Sequence, residues 1–181
     1  MRRMAVRALV VVASAAAALL VTTASSAQAA QPKEHDPVFT PSAGADVEVL
    51  VTKLSHADAA NRLRSSGITW SSSGNCSDRN NPTCTSFEQI NLTTIQGIQT
   101  FKSASGCGVN VTGGTETGHA SGTYSHWNGY KVDISFNSCV TGYIQGTFTS
   151  IGGNKWQSAA GNVYFKESNH WDITYYNCGG C

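Results

Sequence analysis

The chain has 181 residues, of which 40% are hydrophobic and 13% are charged. This composition is too apolar for a disordered chain, and the length suits one compact domain. The formal net charge is +1, and it becomes −2 without residues 1–30, which hold three of the 12 Lys and Arg and none of the 11 Asp and Glu. A nucleic-acid partner is therefore excluded, since the excess of positive charge that it requires is missing.

Residues 1–30 have the pattern of a secretory signal peptide. Arg2, Arg3 and Arg7 precede an almost wholly apolar run over residues 8–21, and small residues then lead to the A-x-A site at residues 27–29. We expect a secreted, extracellular mature chain of about 151 residues. No later apolar run approaches the ~18 residues that cross a bilayer, so we expect no membrane attachment after removal of the signal.

Residues 31–66 are predicted to be a lead-in or pro-segment that contains one short helix. Residues 31–46 hold three of the four prolines and are expected to be poorly ordered. The helix is predicted to begin at Ser55, where S-x-x-D has the form of a helix start, and to end at Gly67. Residues 67–181 would then form the functional domain.

The six cysteines all follow the signal segment, and an even number in an exported chain predicts three disulfides. Six cysteines allow 15 pairings. The short separation favours Cys76–Cys84, within a predicted loop over residues 69–85, and leaves four undecided: Cys107, Cys139, Cys178 and Cys181. Half a zinc knuckle at Cys178 and Cys181 is the less favoured alternative, because no second pair of ligands lies at the required spacing.

The remaining elements predict an α+β fold. Apolar residues at three-residue steps from Leu92 to Phe101 indicate an amphipathic helix that ends at Gly106. Later segments rich in β-branched and aromatic residues predict strands over residues 109–111, 130–136, 143–151, 162–165 and 171–176. We therefore expect a mainly antiparallel sheet with one or two packed helices, stapled by disulfides.

Two strands are predicted to share a polar face. Side chains alternate along a strand, so the apolar residues of 130–136 lie opposite Asp133, and those of 170–176 lie opposite His170 and Asp172. Asp133 and His170 could therefore face each other. The alternative is an ordinary solvated sheet face.

Two nearby residues add a further candidate metal ligand and a candidate base to this pair. His126 begins the motif H-x-x-G-x-x-x-D that ends at Asp133, and Glu167 begins the motif E-x-x-H that ends at His170. A hydrolytic zinc site needs three protein ligands, an open position for water and a base. Two histidines, one carboxylate and one further acid meet that need without thiolates, which oxidation would remove.

These motifs resemble those of the zinc D-Ala-D-Ala peptidases and of the related amino-terminal domain of hedgehog proteins. The similarity covers residues 92–176 and is carried by three stretches, at residues 109–119, 125–134 and 163–172. The resemblance implies a hedgehog/DD-peptidase-like fold and Zn²⁺ held by His126, Asp133 and His170. It also implies Glu167 as general base. His119 is predicted separately, as an electrostatic helper in catalysis or a group that supports a ligand, and the alternative is an ordinary loop histidine.

One feature departs from the peptidases, which usually carry an arginine in the turn after the first strand of the domain. The corresponding turn here, residues 113–116, ends in Glu116 instead. An oxyanion partner would then have to come from elsewhere: zinc itself can polarise the carbonyl, with help from His119, Lys131 or Tyr130. We expect Glu116 and Asp172 to hydrogen-bond backbone amides, and Trp127 either to pack or to line a cleft.

The sequence thus predicts a monomeric, secreted zinc metallopeptidase that hydrolyses peptidoglycan stem peptides as a D,D-carboxypeptidase or endopeptidase. The alternative is a secreted binding or structural module that keeps zinc without turnover, as the hedgehog resemblance permits. The missing arginine favours that alternative.

Overall fold

The computed structural model describes residues 51–176. The predicted signal peptide, the lead-in over residues 31–46, Cys178 and Cys181 lie outside this range. The described chain forms three helices, α1 (His56–Ser65), α2 (Leu92–Ser105) and α3 (Ser138–Thr147). Its strands are β1 (Lys53–Leu54), β2 (Thr69–Trp70), β3 (Ile90–Asn91), β4 (Asn110–Gly113), β5 (Lys131–Ser135), β6 (Thr149–Gly152), β7 (Lys155–Gln157), β8 (Val163–Lys166) and β9 (His170–Thr174).

The first two helices begin and end as their sequences predict. The Ser55 side chain caps α1 by accepting a hydrogen bond from the Asp58 amide at 3.2 Å, and Gly106 ends α2 in the left-handed conformation. Both helices bury their apolar faces in the same core as the main sheet. The helix of the 31–66 segment therefore shares one core with the strands that follow it.

The main sheet has seven strands in the order β2-β4-β5-β9-β8-β7-β6, and every neighbouring pair except β2 and β4 is antiparallel. This confirms the predicted α+β class with a mainly antiparallel sheet. In the pairing of β5 with β9, Asp133 lies opposite Asp172, and Ser135 lies opposite His170. The predicted shared polar face is therefore present.

The prediction of a strand over residues 143–151 is wrong for most of its length. Residues 138–147 form α3, which raises the number of helices to three, and the strand begins only at Thr149. The Asn137 side chain caps α3 by accepting from the Val140 amide at 2.8 Å, and Val140 and Ile144, one helical turn apart, are fully buried. Capping and burial outweigh the β-propensity of the local sequence.

Two disulfides tie the described chain together. Cys76–Cys84 closes the short loop, as predicted, and Cys107–Cys139 joins the segment after α2 to the first turn of α3. The partners of two of the four undecided cysteines are thereby assigned. None of the helices between residues 51 and 176 combines the length and the apolar character that crossing a bilayer requires.

The contact between α2 and Tyr175, which directly follows β9, gives a test of the fold. A methyl group at Gly97 would clash with Cδ1 and Cε1 of the Tyr175 ring, so Gly97→Ala should lower the free energy of unfolding by about 1–3 kcal/mol. Gly142 in α3 has open space around it, and Gly142→Ala should raise that free energy by about 0.5–1 kcal/mol. Urea denaturation measures both. Equal effects of the two changes would contradict the described packing.

Candidate metal centre

A cleft of about 240 Å³ lies over the polar face of β5 and β9. Most of the ionisable side chains that the sequence analysis assigned to a site line this cleft. The lining residues of this kind are His119, His126, Lys131, Asp133, Glu167, His170 and Asp172. The residues predicted to act together are therefore gathered in one place by the fold.

A tight turn delivers His126 to this cleft from the segment before β5. The Gly129 amide donates to the His126 carbonyl at 2.8 Å, and Gly129 has φ +81°, a conformation that favours glycine. A Cβ at Gly129 would also lie 2.6 Å from the Gln89 carbonyl oxygen. Glycine thus lets the chain turn sharply against the backbone of β3, and His126 is buried at the start of that turn.

Each of the three histidines has one ring nitrogen held by an acceptor. Nδ1 of His126 donates to the Gly114 carbonyl at 2.7 Å, and Nδ1 of His170 donates to the Asn169 side-chain oxygen at 2.8 Å. Nε2 of His119 donates to the Glu116 carboxylate at 3.1 Å. These bonds fix the ring orientations and, in the neutral rings, leave the other nitrogen as a lone-pair donor.

The three free ring nitrogens converge on Asp133. Its Oδ1 lies 3.2 Å from Nε2 of His126 and 3.4 Å from Nε2 of His170, and its Oδ2 lies 3.8 Å from Nδ1 of His119. Ligand atoms around a tetrahedral zinc are separated by about 3.4 Å, given bonds of about 2.0–2.2 Å. In the group formed by His119, His126 and Asp133, all ligand atoms lie within 4.8 Å of one another, so this group could hold a metal ion.

The charge of the site also fits a cation. Asp133 and Asp172 face each other across β5 and β9, and both are 5% exposed. Like charges directly opposite in a sheet are destabilising, and buried charges need partners. Lys131, whose Nζ lies 3.1 Å from Asp172 Oδ2, balances one carboxylate.

Three buried atoms of this cluster also have no aligned hydrogen-bond partner. They are Nε2 of His126, Oδ1 of Asp133 and Oδ1 of Asp172. Buried polar atoms in native proteins are normally satisfied, so these three call for a group that none of the described residues provides. A divalent cation bound between the imidazoles and Asp133 fits both the donor atoms and the negative charge.

The ionisation of the metal-free cluster follows the same electrostatics. Burial lowers the pKa of His126, but the nearby carboxylates, Asp133 above all, outweigh it and raise that pKa to about 10. The nearby Asp133 carboxylate, with Oδ1 3.4 Å from Nε2 of His170, likewise raises the pKa of His170. Burial raises the pKa of Asp133, yet the two histidines hold it well below its usual range. Protons therefore supply the positive charge when no metal is bound.

The residues predicted as metal ligands and as general base lie close to one another in the cleft. His126, Asp133 and His170 lie together, and the Oε2 atom of Glu167 is 3.5 Å from Nε2 of His170. His119, predicted as a catalytic helper, belongs with His126 and Asp133 to the group that could hold a metal ion. Glu116 accepts hydrogen bonds from the Ser86 and Gly114 amides, as expected.

The prediction that Asp172 hydrogen-bonds a backbone amide is wrong. Its carboxylate pairs with Lys131 instead of a backbone amide and lies 3.8 Å from Nε2 of His126. Asp172 thus belongs to the site that sequence reasoning had restricted to His170 on that strand. His170 and Asp172 are two residues apart on β9, so their side chains point to the same face of the sheet. The alternation that indicated His170 therefore also indicated Asp172.

Comparison with protein-family models, with curated proteins and with solved structures found no match to this chain. Functional interpretation therefore rests on the geometry of the cleft and on the sequence motifs.

Removal of ligands tests the metal centre. Asp133→Asn and His126→Ala should each weaken Zn²⁺ binding by at least about 100-fold, because each takes a donor from the centre of the cluster. Titration with Zn²⁺ against a competing chelator measures the affinity. Asp58→Asn removes an exposed acid on α1 and is the matched control. Binding that all three variants share with the wild type would disprove the site.

Metal binding should also release protons. Because the pKa of His126 is about 10, its ring is protonated at pH 7 in the metal-free protein, and a metal must displace that proton to reach Nε2. The affinity for Zn²⁺ should therefore rise as the pH is raised, up to a pH of about 10. Calorimetry in two buffers of different ionisation enthalpy should give at least one proton released per ion at pH 7. A release of zero would contradict the assignment of His126 as a ligand.

Proposed function

We propose that this protein is a secreted zinc metallopeptidase that hydrolyses peptidoglycan stem peptides. The observation that carries the proposal is the meeting of His126, Asp133 and His170 with the acid Glu167 at the mouth of one cleft. Zinc as the metal and the peptide substrate class rest on the resemblance of the two motifs. The apolar amino-terminal segment and the two disulfides are compatible with export.

The proposed reaction is hydrolysis with Glu167 as the proton carrier. Zinc, when bound, would polarise the scissile carbonyl and make water more acidic. Glu167 takes a proton from the attacking water as the new C–O bond forms, and it gives that proton to the leaving amine as the C–N bond breaks. Its side chain is 28% exposed, which leaves the carboxylate accessible to a substrate in the cleft.

Lys131 provides a fixed positive charge on the wall of the same cleft. It is 1% exposed, and its ammonium group donates to Asp172 at 3.1 Å, which holds it in place. A preorganised cation in a partly desolvated site suits stabilisation of a developing oxyanion. Lys131 is therefore our candidate for the role that an arginine has in the peptidases that this chain resembles.

Glu116 favours the second candidate function, a zinc-containing binding module without turnover. Its carboxylate stands in the turn where the peptidases carry arginine, and it is fully engaged with the Ser86 amide, the Gly114 amide and His119. The carboxylate thus orients His119, and this turn lacks the positive charge that an arginine would supply. A module of this kind would bind zinc and cell-wall material but cleave neither peptides nor muropeptides.

The variant Glu167→Gln separates the two functions. The amide keeps the size of the side chain but cannot accept the proton of water, so hydrolysis should fall by about 10²–10⁴-fold while zinc stays bound. Mass spectrometry of muropeptides and of D-Ala-D-Ala peptides, incubated with and without a chelator, measures the activity. Glu88→Gln changes an acid outside the cleft and is the control.

Two outcomes would contradict the peptidase proposal. Unchanged cleavage by the Gln variant would disprove Glu167 as the base. A zinc-loaded wild type that cleaves none of these substrates but binds cell-wall material would replace the enzyme with the binding module.

A further inference from the structure

A second cleft, of about 270 Å³, adjoins the metal centre. The two clefts share the segment from Gly118 to Ala120, which includes His119. The second cleft continues from this segment to Ser125, Trp127 and Asn128. A ligand that fills it would therefore reach the edge of the candidate catalytic site.

Trp127 provides the large aromatic surface in the lining of this second cleft. Its side chain is 44% exposed although it directly follows the buried His126. Among residues 51–176, the only other exposed large hydrophobic side chain is Ile151, on β6. Folding has thus left a tryptophan uncovered at one place, beside the metal centre.

Arg79 holds the indole in a defined orientation. The guanidinium lies 3.7 Å from the ring centroid, and it donates to the Thr115 carbonyl at 3.2 Å and to the Trp127 carbonyl. The Arg79 carbonyl in turn accepts from the Thr117 amide at 2.8 Å. Arg79 thus occupies one face of the indole, while Trp127 itself lines the second cleft and stays 44% exposed, which leaves ring surface for a ligand.

The remaining lining combines small residues with polar side chains, and it has no carboxylate that is free for a ligand. Glu116 is the acidic residue of this lining, and its carboxylate is taken by backbone amides and by His119. Ser121, Ser125 and Asn128 add polar side chains to the lining, and the Asn128 amide is held by the Gly122 and Thr123 carbonyls. The lining segment, residues 116–128, contains no strand, so it offers no strand edge on which an extended peptide could pair.

We propose that this cleft binds a saccharide ring of an uncharged glycan. A pyranose ring has a flat C–H face, which stacks on an indole, and a rim of hydroxyl groups, which hydrogen-bond to neutral polar groups. The proposal extends the proposed function, since it would place a glycan next to the peptide that Glu167 cleaves, but binding in this cleft requires no hydrolysis.

Calorimetry with an oligomer of N-acetylglucosamine as the probe tests the proposal. The wild type should bind the oligomer, and Trp127→Ala should bind it at least about tenfold more weakly. Trp127→Phe should recover part of the loss, because a smaller aromatic face remains. Ile151→Ala, which removes the other exposed apolar side chain, should bind as the wild type does.

Further variants keep this test separate from the peptidase proposal. Glu167→Gln should bind the oligomer with wild-type affinity, so failure of hydrolysis leaves the saccharide proposal standing. Arg79→Gln should weaken binding without loss of the fold, because it removes the support of the indole. No binding by the wild type at millimolar oligomer, or equal binding by Trp127→Ala, would overturn the proposal. So would a stem peptide without sugar that binds with the same dependence on Trp127.

Discussion

Two carboxylates buried face to face on the central strands are the constraint on which the site depends. Asp133 on β5 and Asp172 on β9 occupy opposite positions in the sheet, under the loop that carries His126. Such a pair is unfavourable unless positive charge lies beside it. Lys131 satisfies Asp172, and the three imidazoles surround Asp133, so the cluster can exchange protons for a divalent cation.

The supporting contacts explain how the ligand side chains of this cluster are oriented. His126 is oriented by a backbone carbonyl, His170 by an amide side chain and His119 by a carboxylate that backbone amides hold. Contacts of this kind prepare metal ligands in proteins by fixing the tautomer and the ring angle. The turn at Gly129 and the pairing of β5 with β9 then set the distances, because the turn places His126 and the strand register places Asp133 and His170.

Local sequence signals predicted the parts of the molecule that local interactions determine. The cap at Ser55, the left-handed Gly106 and the alternation around Asp133 all depend on neighbouring residues, and their predictions are confirmed. The helix α3 was missed, because its β-branched residues favour a strand until burial of Val140 and Ile144 in the core is known.

Long-range contacts determined the parts of the site that the sequence did not predict. The placement of His119 among the ligands depends on Glu116, which is held by the Ser86 amide thirty residues earlier in the chain. The contact of Arg79 with Trp127 joins residues 48 positions apart. No pattern of neighbouring residues encodes such pairs, whereas H-x-x-G-x-x-x-D and E-x-x-H are short enough to be recognised.

Anomalous diffraction from crystals grown with zinc would test the metal centre most directly. Data collected on both sides of the zinc absorption edge should show one strong peak within bonding distance of Asp133 Oδ1 and His126 Nε2, at about 2.0–2.2 Å. The position of the peak would also identify His119 or His170 as the third ligand. A cleft without an anomalous peak, in crystals where Asp133 and His126 are ordered, would contradict the account.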